Sequence, residues 1–150
     1  MTDYELLYSQ VREMILADPW YVSAMSNISA LLMDSLPGLN WAGFYLLRGG
    51  QLIVGPFQGK PACIHIRTGN GVCGACGERD QAVIVPDVHQ FPGHIACDSA
   101  SKSELVLPIH RGGEVAAVLD LDSPVPDRFR EEDLRGLSEL AARIEERIRW

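Results

Sequence analysis

The first quarter of the chain carries apolar residues at helical spacing. Asp18-Pro19 interrupts this pattern and Pro37-Gly38 ends it, which predicts two helices with Pro19 in the first turn of the second. The apolar positions recur every three or four residues and comprise Leu6, Leu7, Val11, Met14, Ile15, Tyr21, Ala24, Met25, Ile28, Leu31 and Leu32.

Two later stretches have the pattern of β-hairpins. Residues 40–47 and 51–57 read as strands joined by Arg48-Gly49-Gly50, and residues 104–109 and 114–122 as strands joined by Arg111-Gly112-Gly113. Paired glycines between such runs are typical of tight turns. The sequence therefore predicts two antiparallel strand pairs.

Between and after the hairpins the pattern is more varied. Residues 71–79 indicate a short helix, 81–85 a strand and 87–103 a long loop, a kind of segment that is usually functional in a compact domain. An amphipathic helix is predicted from about Glu131 to Trp150. We therefore expect one α+β domain over residues 1–150, with a central antiparallel sheet and the terminal helices packed on one face.

Composition narrows the range of functions. The 150 residues are 47% hydrophobic and carry a net charge of −7, which fits one globular domain and argues against nucleic-acid binding. The N-terminus lacks the features of a signal peptide, and no apolar run approaches the roughly 20 residues that span a membrane. We expect a cytoplasmic protein without membrane contact.

All four cysteines lie between residues 63 and 97, in segments rich in glycine and proline. In a reducing compartment such a cluster is more typical of catalysis or metal binding than of structural disulfides. One alternative is zinc, with Cys73-x-x-Cys76 joined by Cys63 or Cys97 and by His65 or His94. A Cys73–Cys76 redox pair is another, and burial as small apolar side chains is a third.

Two acidic residues share one face of the last predicted strand. Side chains alternate along a strand, so Asp120 and Asp122 point away from Leu119 and Leu121, with the two carboxylates roughly 7 Å apart. In a pocket, desolvation and mutual repulsion would keep at least one of them protonated. At a solvated strand end they would simply be surface acids.

Aromatic residues show the same alternation on the first predicted strand. Trp41 and Tyr45 flank Gly43 on one face and could form the floor of a cleft, although core packing is the commoner fate of such rings. On the long loop, a protonated His94 near Cys97 would lower the pKa of that thiol.

Several phrases together resemble the free methionine-(R)-sulfoxide reductases, which are built on the GAF fold. The match runs from about Trp20 to Leu140 and is carried by Gly-Pro-Phe-Gln-Gly-Lys, Gly-Val-Cys-Gly, Val-Pro-Asp-Val-His, Phe-Pro-Gly-His-Ile-Ala-Cys-Asp and Leu-Asp-Leu-Asp-Ser. The resemblance implies reduction of the R epimer of free methionine sulfoxide at the expense of thioredoxin. It implies neither a cofactor nor a metal.

The resemblance also implies roles for individual residues. Cys97 would be the nucleophile, Cys63 the main resolving thiol and Cys73 an auxiliary thiol, whereas Cys76 departs from the family pattern. The substrate-binding and proton-supplying carboxylates would be Glu104, Asp120 and Asp122, and the aromatic wall would be Trp41 and Tyr45.

Two questions stay open at the level of sequence. The main rival to the reductase function is a GAF module that senses a small ligand without turnover. A zinc-binding structural protein is the third candidate. A homodimer through the terminal helices is the other expectation. The apolar stripe that would permit it suits a core-facing helix equally well and comprises Leu134, Leu137, Leu140 and Ile144.

Overall fold

A computed structural model describes residues 1–95 and 97–150 of the chain. Ala96, within the predicted long loop, lies outside the described residues. The helices are α1 (Tyr4–Ala17), α2 (Tyr21–Ser35), α3 (Gly71–Arg79) and α4 (Glu131–Arg147). The strands are β1 (Trp41–Arg48), β2 (Gln51–Gly59), β3 (His65–Arg67), β4 (Val83–Val85), β5 (Ser103–Arg111) and β6 (Glu114–Ser123).

The six strands form one antiparallel sheet in the order β3-β2-β1-β6-β5-β4. Both predicted hairpins are present, and they lie side by side because β1 pairs with β6. The predicted fold class is confirmed. This arrangement brings the first and last strands together at the centre of the sheet, where each is hydrogen-bonded on both sides.

The two faces of the sheet have different partners. The terminal helices α1, α2 and α4 cover one face, where they pack on Phe44, Leu107 and Leu119. The short helix α3 packs on the other face, beside Val106 and Val118. Strand alternation therefore sends the leucines of β5 and β6 into the main core, and it leaves Glu104 and Asp120 on the α3 face with Val106 and Val118.

One long-range contact explains the two helix boundaries that differ from prediction. Trp20 forms a parallel bridge with Arg149, and the amide of Arg149 donates to the carbonyl of Pro19 over 2.7 Å. The prediction that Pro19 lies in the first turn of α2 is therefore wrong, since Trp20 caps that helix. The same contact ends α4 at Arg147, three residues before the predicted end.

The apolar stripe of α4 faces the core of its own chain. Leu137, Leu140 and Ile144 are fully buried there and Leu134 packs against them, so this stripe does not provide a surface for a second copy. Within residues 1–95 and 97–150, each helix is too short or too polar to cross a membrane.

Gly43 permits the close approach of β1 and β2 beneath the aromatic residues. A Cβ at this position would lie 2.2 Å from the Cβ of Phe57, beside a shift in the strand register. We expect Gly43→Ala to lower the free energy of unfolding by about 2 kcal/mol or more, because the backbone must move. Gly77→Ala is the control, since its Cβ would meet nothing closer than 3.6 Å. Equal urea midpoints for the two variants would contradict this prediction.

Candidate active site

Strand register assembles a row of functional side chains across the middle of the sheet. Trp41 on β1 is opposite Asp122 on β6, which is in turn opposite Glu104 on β5. Asp120 lies opposite Gly43, two residues along β6. Because all of these positions share one face, residues distant in sequence become neighbours on the side that α3 covers.

A pocket lies between this face, α3 and the loop that carries Cys97. All five predicted substrate-binding residues line it: Trp41, Tyr45, Glu104, Asp120 and Asp122. Trp41 stacks on Tyr45 with ring centroids 5.7 Å apart and on Phe57 at 5.1 Å. Trp41 and Tyr45 therefore form a wall of the pocket while being almost entirely buried.

Helix α3 places Cys73 against the carboxylates. The glycine at the centre of Cys73-Gly-Ala-Cys76 allows this packing, since a Cβ on Gly74 would lie 2.6 Å from the carbonyl oxygen of Arg67. Both cysteines of α3 are buried and neither forms a disulfide. Of these two cysteines, Cys73 is the one that lines the pocket.

His110 ties the far end of α3 to the rest of the fold. Its Nε2 lies 2.5 Å from Asp80, the residue that caps α3, and its Nδ1 lies 2.8 Å from Glu145 of α4. Burial of the ring disfavours its charged form, but the hydrogen bonds to the two carboxylates outweigh this and raise the His110 pKa. The contact holds α3 against β5.

One thiol and two carboxyl groups form a compact buried cluster. Cys73 Sγ lies 3.8 Å from Glu104 Oε1, and ligand atoms of Cys73, Glu104 and Asp120 all lie within 4.8 Å of one another. Asp120 Oδ1 is buried and has no hydrogen-bond partner among the described residues. A buried oxygen of this kind is costly unless a bound molecule supplies its partner.

Burial changes the protonation of this cluster. Desolvation raises the pKa of Asp120, and desolvation with repulsion from Asp120 raises those of Glu104 and Asp122 well above the usual range. The thiol pKa of Cys73 is raised by the same two causes. The pocket therefore favours the protonated form of these acids, as a site that supplies protons requires.

Cys63 and Cys97 form a disulfide, with Cα atoms 5.4 Å apart. This is the pair that the family resemblance implies. Cys97 lines the pocket, whereas Cys73 lies deeper, beside Glu104. The zinc set considered from the sequence is not assembled here, because Cys63 and Cys97 are bonded to each other.

The side chain of Asn40, the residue directly before β1, anchors the loop that carries Cys97. Asn40 Nδ2 donates to Asp98 Oδ2 and to Ser101 Oγ, each over 3.0 Å. Asp98 also accepts the amide of Ala100 over 2.9 Å. The loop is thereby fixed to the sheet on the C-terminal side of Cys97.

Sequence reasoning missed Asn40, Asp98 and Ser101, although Asn40 directly precedes the aromatic motif. It also considered that His94, if protonated, would lower the pKa of Cys97. His94 lines the pocket, but burial and the neighbouring His89 lower its pKa, which favours the neutral ring over the cation that this effect requires.

Comparison with known proteins places this site in a family. The GAF domain model matches residues 21–148. The chain is 50% identical to the free methionine-R-sulfoxide reductase of Escherichia coli over 125 residues, which is 83% of this chain and 76% of that protein. This chain belongs to the free methionine-R-sulfoxide reductase family.

Solved structures of family members agree with the fold in detail. The fRMsr of Staphylococcus aureus in its reduced form superimposes with a TM-score of 0.96 at 46% identity, covering 99% of this chain and 97% of that one. Its complex with substrate gives a TM-score of 0.94 at the same identity and coverage. The reductase of Saccharomyces cerevisiae is 42% identical over 83% of this chain and 73% of that protein.

Proposed function

We propose that this protein reduces free L-methionine (R)-S-oxide to L-methionine, with Cys97 as the nucleophile and Cys63 as the resolving thiol. One observation carries the proposal. A cysteine that can form a disulfide lines the same pocket as three carboxyl groups whose pKa values are raised by burial. A redox thiol and proton donors are the two components that sulfoxide reduction needs.

The first chemical step transfers the sulfoxide oxygen to Cys97. A protonated carboxyl group among Glu104, Asp120 and Asp122 donates a proton to the sulfoxide oxygen, and the Cys97 thiolate attacks the sulfur. This attack forms a sulfur–sulfur bond between Cys97 and the substrate. The hydroxyl group then passes from the substrate sulfur to Cys97 as the sulfur–sulfur bond and the substrate's sulfur–oxygen bond break. Methionine departs with the electron pair, and Cys97 is left as a sulfenic acid.

The second step forms the disulfide. The Cys63 thiol attacks the sulfenic sulfur of Cys97, the sulfur–oxygen bond breaks, and the oxygen leaves as water. The Cα separation of 5.4 Å lets this bond form without backbone rearrangement. An external dithiol then reduces the disulfide by exchange and is itself oxidised.

The pocket also accounts for selection of the free amino acid. The buried, unpartnered oxygen of Asp120 needs a hydrogen-bond donor, which the substrate's α-ammonium provides. The stacked rings of Trp41 and Tyr45 offer an apolar surface to the methyl end. A peptide-bound sulfoxide lacks the ammonium group and would leave that oxygen unpaired.

Cys73 is an auxiliary thiol in this proposal. Its S–H donates to Glu104 over 3.8 Å, and burial with the nearby carboxylates opposes its ionisation. As long as Cys63 is present, Cys73 orients the Glu104 carboxyl group. It becomes a resolving thiol only when Cys63 is lost and the Cys97 loop moves.

Cys63→Ser tests the resolving role. We expect the thioredoxin-supported rate to fall by at least about tenfold. Without Cys63, the Cys97 sulfenic acid has no adjacent thiol and must react with a more distant one. Mass spectrometry with a sulfenic-acid trap should label Cys97 in this variant. A Cys73–Cys76 link as the only disulfide of the oxidised wild-type protein would contradict the assignment.

Steady-state turnover tests the function itself. The R and S epimers of free methionine sulfoxide, N-acetylmethionine sulfoxide and a peptide sulfoxide would each be supplied with thioredoxin, its reductase and NADPH. The proposal requires NADPH oxidation with the free R epimer alone. No oxidation with any substrate, while all thiols are reduced, would favour a ligand-sensing GAF module.

We propose thioredoxin as the reductant. We also propose that the protein acts in the cytoplasm, because the cycle needs a compartment that returns disulfides to thiols. A homodimer is also proposed, but it would have to use surfaces other than the buried stripe of α4. Replacing thioredoxin by glutaredoxin and glutathione in the assay distinguishes the two thiol systems.

A further inference from the structure

The cluster of Cys73, Glu104 and Asp120 has a composition that ammonium binding alone does not require. Carboxyl oxygens suffice to hold an ammonium group, yet here a sulfur atom lies among the oxygens. The three residues are 5%, 6% and 5% exposed, so all are more than nine-tenths buried. Their ligand atoms lie within 4.8 Å of one another.

We propose that Cys73, Glu104 and Asp120 bind one thiophilic divalent cation such as Zn²⁺, and that this cation excludes the substrate from the pocket. Thiolate and carboxylate groups are both common zinc ligands, at about 2.3 Å and 2.0–2.2 Å. Movements of about 1 Å would bring the three atoms to those distances. Water or Asp122, which lines the same pocket, completes the coordination.

The unpartnered oxygen of Asp120 points to a cationic ligand. Asp120 Oδ1 has no hydrogen-bond partner in the described part of the chain, although the residue is almost fully buried. A divalent cation would satisfy this oxygen and offset the charges of two carboxylates and a thiolate in one step. Binding releases the Cys73 proton, and any proton held by Glu104 or Asp120, to solvent, because the ligands must be deprotonated.

The site is available in the oxidised protein. With Cys63 and Cys97 joined, the cysteines outside the disulfide are Cys73 and Cys76, both on α3. Only Cys73 faces the carboxylates, because Cys76 packs in the apolar layer and is not part of the cluster. The two thiols therefore form a matched pair for a test.

Cobalt provides a readout that does not depend on activity. Oxidised protein titrated with CoCl₂ should show a thiolate-to-cobalt charge-transfer band that saturates at one Co²⁺ per chain. Cys76→Ser should retain the band and Cys73→Ser should lose it. No band in the wild-type protein, or a band that survives Cys73→Ser, would overturn the proposal.

A second variant keeps the test valid if Cys73→Ser misfolds. Glu104→Gln retains every thiol, and we expect it to weaken Zn²⁺ binding at least tenfold in competition with a chromogenic chelator. Even loss of an outer-shell partner costs about 10- to 100-fold in metal affinity. Unchanged affinity would exclude Glu104 as a ligand and overturn the proposed set.

The claim that the cation competes with substrate rests on the proposed function. The experiment distinguishes the failure of this claim from the failure of the proposed function. Free methionine (R)-sulfoxide should displace Co²⁺ from the oxidised wild-type protein and abolish the band. If the band depends on Cys73 but the sulfoxide does not displace it, the metal site stands and the claim that it excludes substrate is overturned. A sulfoxide that is turned over without any cobalt band in the oxidised protein leaves the reductase standing and removes the metal site.

Discussion

Cys97→Ser should lower turnover of free methionine (R)-sulfoxide by at least about 10⁴-fold, the scale of loss found when an enzyme's nucleophile is removed. Cys97 is the thiol that lines the pocket and pairs with Cys63. A hydroxyl group at this position is far less nucleophilic than a thiolate and cannot form a sulfenic acid. The measurement is NADPH oxidation coupled to thioredoxin.

Cys76→Ser is the matched control for that experiment. Cys76 is equally a thiol of this region, but it is fully buried, its pKa is raised to about 12 mainly by desolvation, and it does not line the pocket. This variant should retain more than about half of the wild-type rate. Retained turnover in Cys97→Ser, with thermal unfolding unchanged, would contradict the nucleophile assignment.

Asp120→Asn should have the second largest effect, a loss of about 10²- to 10⁴-fold in kcat/KM. This is the usual contribution of a residue that takes part in proton transfer to the substrate. Asp120 is central to the acid cluster, since repulsion from it helps to keep Glu104 and Asp122 protonated. The asparagine amide is uncharged, so it removes that repulsion. Its NH2 group also cannot accept a hydrogen bond from the substrate's ammonium group. The pH at which activity falls should therefore move downward in this variant, because the neighbouring acids lose their proton at lower pH.

Stability separates this effect from misfolding. Asp120 is desolvated without a partner for Oδ1, so replacement by a neutral amide should leave the thermal midpoint unchanged or higher. Asp34→Asn, at an exposed position of α2, is the control and should alter neither rate nor stability. A wild-type rate for Asp120→Asn would mean that this carboxylate takes no part in the reaction.

Strand alternation carried much of the site prediction. Because Asp120 and Asp122 alternate with Leu119 and Leu121, the sequence indicates that the acids share a face, and the structure confirms this. The same argument placed Trp41 and Tyr45 together. Local periodicity is sufficient here, since the face of a strand depends only on residue parity.

Other parts of the site depend on contacts between distant segments. Whether the face of Asp120 is solvated or buried depends on α3, and the position of α3 depends on packing at Gly74 and on the link between Asp80 and His110. The hydrogen bonds of Asn40 to the Cys97 loop join residues about sixty positions apart. No local pattern in one sequence encodes such pairings.

The family resemblance supplied what periodicity could not. Spacing alone left the cysteines open to a zinc site, a Cys73–Cys76 pair or simple burial, and only the resemblance implied the Cys63–Cys97 pair that the structure contains. The fourth thiol, Cys76, fills a buried position in the layer beneath α3, where a small apolar side chain is suitable.

A single-turnover reaction without any reductant tests the central claim most directly. Fully reduced protein would be mixed with excess free methionine sulfoxide as separate R and S epimers, followed by methionine quantification and disulfide mapping. We predict one methionine per chain from the R epimer, none from the S epimer, and a Cys63–Cys97 disulfide in the product. No methionine from the R epimer, or methionine formed with Cys97 still a free thiol, would contradict the account.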